Sequence, residues 1–427
     1  MPAPDALTPT EARVLDALDF DRLLADLDAL IRIPSLGGQE DAAQAWMADR
    51  LAALGMDVDQ WEIDFGALAG HPAFSMEVPR ARGRGVVGQA GRGDGPTLVL
   101  NGHVDVVPVG DLQQWTVEPW RATVRDGRVF GRGACDMKGG LACALAAVRA
   151  IGAAGVTLRG RLAIHSVIAE EDGGAGTLAT LARGHRGDGA ISMEPTELAI
   201  APAHAGALGF RLSVPGRATH GAVREEGVSA VEKFALVHRA LLGLEADRTR
   251  RLMQPLFARY ALPYALSIGK VWAGDWPSSV PDLLVAEGRY GLAPGESADE
   301  ARREFEQAVA AVAANDPWLA AHAPRVEWWG GQFLPAATPA DAAVVTTATA
   351  AFTSVTGRAP AVEGMTYGAD MRLLVGEGIP TLLFGPGDVR QAHRADESVP
   401  IADLQLVAQV LALTALRFAR ADAGAEH

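Results

Sequence analysis

Residues 97–109 read TLVLNGHVDVVPV, a short apolar run that passes directly into His103 and Asp105. An unbroken run of that length predicts a strand buried on both faces, as in parallel sheets. Residues 159–182, RGRLAIHSVIAEEDGGAGTLATLA, repeat the design, passing into Glu170 and Glu171 before a helical stretch. Residues 188–200, DGAISMEPTELAI, do so again with Glu194. Between the first two, GRGACDMKGG (131–140) is a turn that carries Asp136 into an Ala-rich helix. Strand, polar tip and helix in alternation predict an α/β domain with a mostly parallel sheet. Ligands of such sheets bind beyond the carboxyl ends of the strands, where these acids and His103 fall.

Residues 19–33 and 41–56 place apolar residues at three- and four-residue steps and predict amphipathic helices. The Gly-rich stretch GRGVVGQAGRGDGP (83–96) lacks the GK[ST] ending of a phosphate-binding loop and predicts a surface turn. From residue 206 the pattern changes. GALGFRLSVPGRATHG alternates like a half-exposed strand; a helix, two strands joined by a turn, and a helix with an acidic first turn follow. This predicts a smaller α+β lid domain, residues 206–324, inserted into a catalytic domain of residues 1–205 and 325–427. The first pattern resumes with a helix at 338–357, the buried strand IPTLLFGPG (379–387) and a closing helix at 400–420.

At 427 residues the chain exceeds the roughly 250–300 at which a single core stops growing, which favours two domains. The formal net charge of −14 argues against nucleic acid or an anionic membrane as partner. The only cysteines, Cys135 and Cys143, form neither a disulfide framework nor a CxxC motif and fit a reducing cytoplasm. The acidic opening MPAPDALTPTEARVLDALDF does not resemble a secretory signal, and no uninterrupted apolar stretch approaches the ~20 residues of a membrane span.

The polar residues at the predicted strand tips are His103, Asp105, Asp136, Glu170, Glu171 and Glu194, with His393 in the later loop GPGDVRQAHRADESVP. Two imidazoles and several carboxylates suit zinc, with cobalt or manganese also compatible. The set is rich enough for two ions sharing a carboxylate, with one acid left over as general base. Each residue also has a plainer reading. Asp105 fits a turn cap, Asp136 a helix N-cap, Glu194 and His393 ordinary loop positions. Glu170 and Glu171 are harder to explain so, because adjacent carboxylates repel unless a cation or solvent compensates. His165, mid-strand, reads as a core residue.

The segments NGHVDVVP, GRGACDMKGG, AEEDGGAGT, MEPTEL and AHRADESVP, in that order and spacing, resemble the dinuclear zinc deacylase and carboxypeptidase family (metallopeptidase family 20). It includes acetylornithine deacetylase, succinyl-diaminopimelate desuccinylase and aminoacylase-1. The resemblance spans nearly the whole chain. It implies His103, Asp136 and Glu194 on one metal, Asp136, Glu171 and His393 on the other, and Asp136 as the bridge. It implies Glu170 as general base, Asp105 as the carboxylate behind His103, and a cis peptide at Asp136–Met137. It makes the inserted segment a lid through which two copies dimerise, with His220 in GRATHG stabilising an oxyanion in the partner subunit's site. It aligns Ser278 with an asparagine, Arg289 with an arginine that grips a substrate carboxylate, and Gly385 and Gly387 with a turn lining the substrate pocket. Ala369, before Asp370 and Arg372, replaces a threonine of the family.

These readings imply a homodimeric hydrolase with two divalent metal ions, zinc or otherwise cobalt or manganese, acting on the linear amide of a small-molecule N-acyl amino acid. Glutamate at position 194 resembles the deacetylase and desuccinylase branch. The alternatives are a dinuclear carboxypeptidase or dipeptidase and, in another class, a non-catalytic metal-binding or scaffold protein. A thiol hydrolase using Cys135 is a weaker rival.

Overall fold

The computed structural model describes residues 6–421. They divide into two units. One holds the residues through Ala203, Ala337–Glu363 and those from Ala369 on; the other holds His204–Ala336 and Gly364–Gly368.

In the first unit four strands run parallel, in the order Arg161–Val167, Thr97–His103, Gly189–Ser192 and Thr381–Leu383. Val99, Leu100, Ile164, Ile191 and Leu382 are fully buried. Each such side chain contributes roughly 1.5–3 kcal/mol by leaving water. The sheet continues with antiparallel neighbours, Arg84–Ala90 on one side and Ile200–His204 on the other. Arg84–Ala90 corrects the expected surface turn. Val86 and Val87 are fully buried, and Gly85 leaves room for Trp61, whose ring would stand 2.2 Å from a Cβ there. Glycine here signals close packing, not a turn.

Helix Lys138–Ala153 packs between Phe20–Ile31 and Ile401–Phe418. Thirteen of its sixteen residues are buried, so it has no wet face to speak of. Its first turn needs two glycines: a Cβ at Gly139 would stand 2.5 Å from the Ala134 carbonyl, and one at Gly140 2.5 Å from that of Met193. The GG of the DMKGG motif thus brings the helix start against the segment bearing Glu194. Helix Ile401–Phe418 is long and apolar enough to cross a membrane, yet Leu404, Val407, Leu411 and Phe418 lie in this core.

The second unit is a four-stranded antiparallel sheet in the order Leu266–Ala273, Leu283–Leu292, Gly206–Pro215 and Arg325–Phe333, with helices Ala230–Leu252 and Ala298–Asn315. Ser229 and Ser297 cap the helices, accepting from the Glu232 and Glu300 main-chain N–H groups. Its core centres on Phe210, Tyr290 and Phe305, with ring centroids 4.7 and 5.2 Å from Phe305. Strand Arg325–Phe333 lies beyond the expected boundary at 324, because it completes the sheet beside Gly206–Pro215. Its partner lies about a hundred residues upstream, out of reach of local pattern.

Candidate metal centre

The carboxyl edge of the parallel strands carries the polar cluster. His103 ends its strand. Its Nδ1 lies 2.9 Å from the Asp105 main-chain oxygen, an acceptor only, so Nδ1 carries the proton and Nε2 presents a lone pair when the ring is neutral. That lone pair faces Asp136 Oδ1 at 3.2 Å, Glu194 Oε2 at 3.9 Å and Glu170 Oε2 at 4.0 Å. Burial opposes a charged ring, but Asp136, Glu194, Asp105 and Glu170 together hold His103 well above the usual imidazole range. A cation or a proton belongs between these groups.

Glu170 and Glu171 occupy the turn after Arg161–Val167, entered through Ala169 at φ +61°. A non-glycine residue there is strained by about 1–3 kcal/mol. The Asp105 carboxylate holds the turn, accepting from the Glu170 N–H at 3.3 Å and the Glu171 N–H at 3.1 Å. It stands 3.7 Å from His103 Nδ1, so the Asp105 main chain makes the closer contact with the ring. Burial pushes the Asp105 carboxyl up to about 7. Burial and the neighbouring Glu194 push Glu170 well above the carboxylate range, and burial does the same to Glu194.

Asp136 follows Cys135 and precedes a cis peptide to Met137. It does not cap the helix; Met137 holds that position, with no side-chain cap. Asp136 stands between the two imidazoles, 3.2 Å from His103 and 3.6 Å from His393. His393 sits in its loop at φ +59°, with Nε2 3.1 Å from Glu171 Oε2. Glu171, resisted by partial burial and helped by Asp136, raises its pKa to about 9. Ligand atoms of His103, Asp136 and Glu171 all lie within 4.8 Å of one another, as do those of His103, Glu170 and Glu194. These triads divide the acids differently from the expected metal sets, with His103 common to both.

The two glycines at 385 and 387 support this edge. A Cβ at Gly385 would stand 2.5 Å from the Glu194 carbonyl, and the Gly387 N–H donates to Asp403 at 3.2 Å. Behind the Glu170 turn, Thr177 donates to Asp370 at 2.6 Å and Arg372 to the Gly173 carbonyl at 2.6 Å. Burial raises the Cys135 thiol far above its ordinary value, which disfavours the thiolate that nucleophilic chemistry needs.

His220, Ser278 and Arg289 belong to the second unit. His220 and Ser278 are neighbours, since the Gly221 N–H donates to the Ser278 carbonyl at 2.6 Å. His220 Nδ1 accepts from the Ala222 N–H at 3.1 Å, which places the ring proton of the neutral form on Nε2. Arg289 is partly buried; Nη2 donates to the Thr366 carbonyl at 3.2 Å, and among the described residues Nε has no hydrogen-bond partner. Burial lowers its pKa, and no acid among the described residues offsets it.

Sequence reasoning missed three buried supports. Lys138 donates to the Leu30 and Ile33 carbonyls, both at 2.9 Å, at the end of helix Phe20–Ile31; burial lowers its pKa to about 7. Arg80 joins Glu40, at 2.6 Å, to Asp172, at 2.8 Å, beside the Glu171 turn. Glu397 accepts from the Cys135 and Asp136 N–H groups. Only a charged residue opening an apolar helix, as Lys138 does, leaves a local signal.

Two bacterial relatives are described as N-formyl-4-amino-5-aminomethyl-2-methylpyrimidine deformylases. That of Bacillus subtilis is 29% identical over 85% of this chain and 86% of its own length. That of Halalkalibacterium halodurans is 30% identical over 90% of this chain and 91% of its own. Among solved structures, human carnosine dipeptidase 1 matches with a TM-score of 0.74 at 17% identity, covering 96% of this chain and all of that one. A tripeptidase from Staphylococcus aureus matches at 0.71 and 20% identity, covering 94% and 99%. At such identities the two structures speak for the fold alone. Residues 99–417, most of the chain and all of the cluster just described, match peptidase family M20/M25/M40, and the chain belongs to that family.

Proposed function

We propose that this chain is a metal-dependent amidohydrolase that removes a small acyl group from an amine, with N-acyl amino acids as its first substrate class. The observation that carries the reading is the convergence of His103, Asp136, Glu170, Glu171, Glu194 and His393 at one sheet edge. The donors fit divalent cations. An imidazole lone pair faces three carboxylates, and Glu194 Oε1 is buried without a hydrogen-bond partner, which is costly unless a cation satisfies it. His103, Asp136 and Glu194 would hold one ion; Asp136, Glu171 and His393 would hold the other. Zinc suits this set best, and cobalt or manganese is also compatible. When bound, such ions acidify a water and polarise an acyl carbonyl.

The chain's own residues supply the rest. Glu170 takes the proton of the attacking water on its carboxylate and returns it to the leaving amine. A carboxyl held above its usual range is suited to carry a proton in both directions. Asp105 fixes the Glu170–Glu171 turn through two main-chain N–H groups. His220 donates from Nε2 to the oxyanion in a partner subunit's site. Arg289, a partly buried guanidinium with no acid partner among the described residues, takes the substrate carboxylate. Ser278 stands beside His220, and the Gly385–Gly387 turn lines the acyl pocket.

The deformylase relatives act on an amide, which supports deacylation. A scaffold protein of this fold has no need of Glu170. In the second unit, edge strand Leu266–Ala273 exposes Val271 and Trp272, and Trp276 follows it; this surface supports a homodimer through that unit. Two buried free thiols fit a reducing compartment, and we place the chain in the cytoplasm.

A hydrolysis screen of the metal-loaded protein tests the reading, using N-formyl, N-acetyl, N-succinyl and N-carbamoyl amino acids, an N-formyl aminomethylpyrimidine, and dipeptides. We expect acyl release that a chelator stops and zinc or cobalt restores. Activity confined to dipeptides, or chelator-resistant activity, overturns it.

A further inference from the structure

Asp136 stands between both imidazoles in a glycine-flanked turn closed by the Ala134 N–H on the Gly131 carbonyl and the Lys138 N–H on the Gly133 carbonyl, but the Asp136 N–H finds its acceptor outside that turn. What holds it comes from the far end of the chain. Glu397 is 1% exposed, and its Oε1 accepts from the Cys135 N–H at 2.9 Å and the Asp136 N–H at 3.1 Å. Its Oε2 accepts from Arg132 Nη1 at 2.6 Å, and its main-chain oxygen accepts from the Gly131 N–H at 3.0 Å. The next residues, Ser398–Pro400, pair antiparallel with Arg128–Phe130, so the whole approach to Asp136 is stitched to this segment. The same segment carries His393, four residues before Glu397.

We propose that Glu397 is a positioning residue that sets the Asp136 backbone from the segment bearing His393, so that two groups of the metal centre are held in one frame. Partners behind a ligand fix its orientation, and losing them typically costs about 10–100-fold in metal affinity. The inference rests on the metal-centre reading. The competing explanation is that Glu397 only neutralises buried Arg132, which otherwise donates to the Pro108 carbonyl and lies over Trp115.

Cobalt titration of the full chain, followed by visible absorption, separates the two. Wild type should bind two ions; if it binds none, the metal-centre reading fails and not this inference alone. Arg132→Met keeps both main-chain contacts of Glu397 and should bind cobalt within about threefold of wild type. Adding Glu397→Leu removes the acceptors without leaving a charge unpaired, and should weaken at least one site tenfold or more. If that double variant binds both ions like wild type, the positioning role is overturned. Should it fail to fold, Glu397→Gln decides: it keeps an acceptor oxygen but no charge, so affinity within threefold supports the role and a tenfold loss in a folded protein contradicts it.

Discussion

Two buried imidazoles on neighbouring parallel strands behave in opposite ways. His165 pairs in register with Asn101, two residues before His103 and the edge of the sheet. Both rings are shut from solvent. Among the described residues neither nitrogen of His165 has a hydrogen-bond partner, and burial drives its pKa down to about 3. His103 is held far in the other direction by Asp136, Glu194, Asp105 and Glu170. Burial is common to both, so burial alone does not decide which imidazole is fit to hold a cation. What differs is position: one strand step moves an imidazole from the apolar interior to an edge where turns from three strands deliver carboxylates.

The contrast can be attacked from the edge inward. Glu170→Gln should lower turnover at least ~100-fold while cobalt binding remains; near-normal turnover would remove Glu170 from the role of base. His103→Ala should remove the ion held with Asp136 and Glu194 and weaken the other, because the His103 ring also lies within 4.8 Å of the Asp136 and Glu171 ligand atoms. His393→Ala should spare one ion, since that side chain is 53% exposed and its ion pairs are with Glu171 and Asp136. Metal content by mass spectrometry after gel filtration distinguishes the outcomes, and equal losses in the two variants would contradict the asymmetry.

His165→Leu should leave metal content unchanged and flatten the acid limb of stability. In the native state His165 stays neutral down to about 3, whereas in the unfolded chain it takes a proton below roughly 6.5. Protons therefore favour the unfolded state between those values, and stability falls as pH drops through that window by up to ~1.4 kcal/mol per unit. Guanidinium unfolding at pH 7.5 and 5 should show a drop on the order of 1–2 kcal/mol larger for wild type than for the variant. The smallest effect lies in the other unit. Trp272→Glu should shift sedimentation from dimer to monomer with little change in melting temperature, because Trp272 is 53% exposed.

The same contrast explains what sequence could tell. His103, Asp136, Glu170, Glu171 and Glu194 follow apolar runs or glycine turns, so a short window exposes them. His393 sits in an irregular loop, where a histidine reads as well as an ordinary loop residue, and the family resemblance gave it a specific role. Glu397, Arg80 and Asp172 act on residues tens to hundreds of positions away, which no local period encodes. Strand Arg84–Ala90 was hidden by glycines that serve Trp61 and Leu51 packing, not a turn. The inserted unit's last strand was hidden because a long-range pairing defines it.

On the reading proposed above, these side chains surround a pair of divalent cations. Anomalous diffraction at the zinc absorption edge, from crystals grown with zinc, tests it most directly. Two peaks enclosed by His103, Asp136, Glu171, Glu194 and His393 are predicted. A map without zinc at Asp136, or with His103 and His393 turned away from it toward separate sites, would contradict the account.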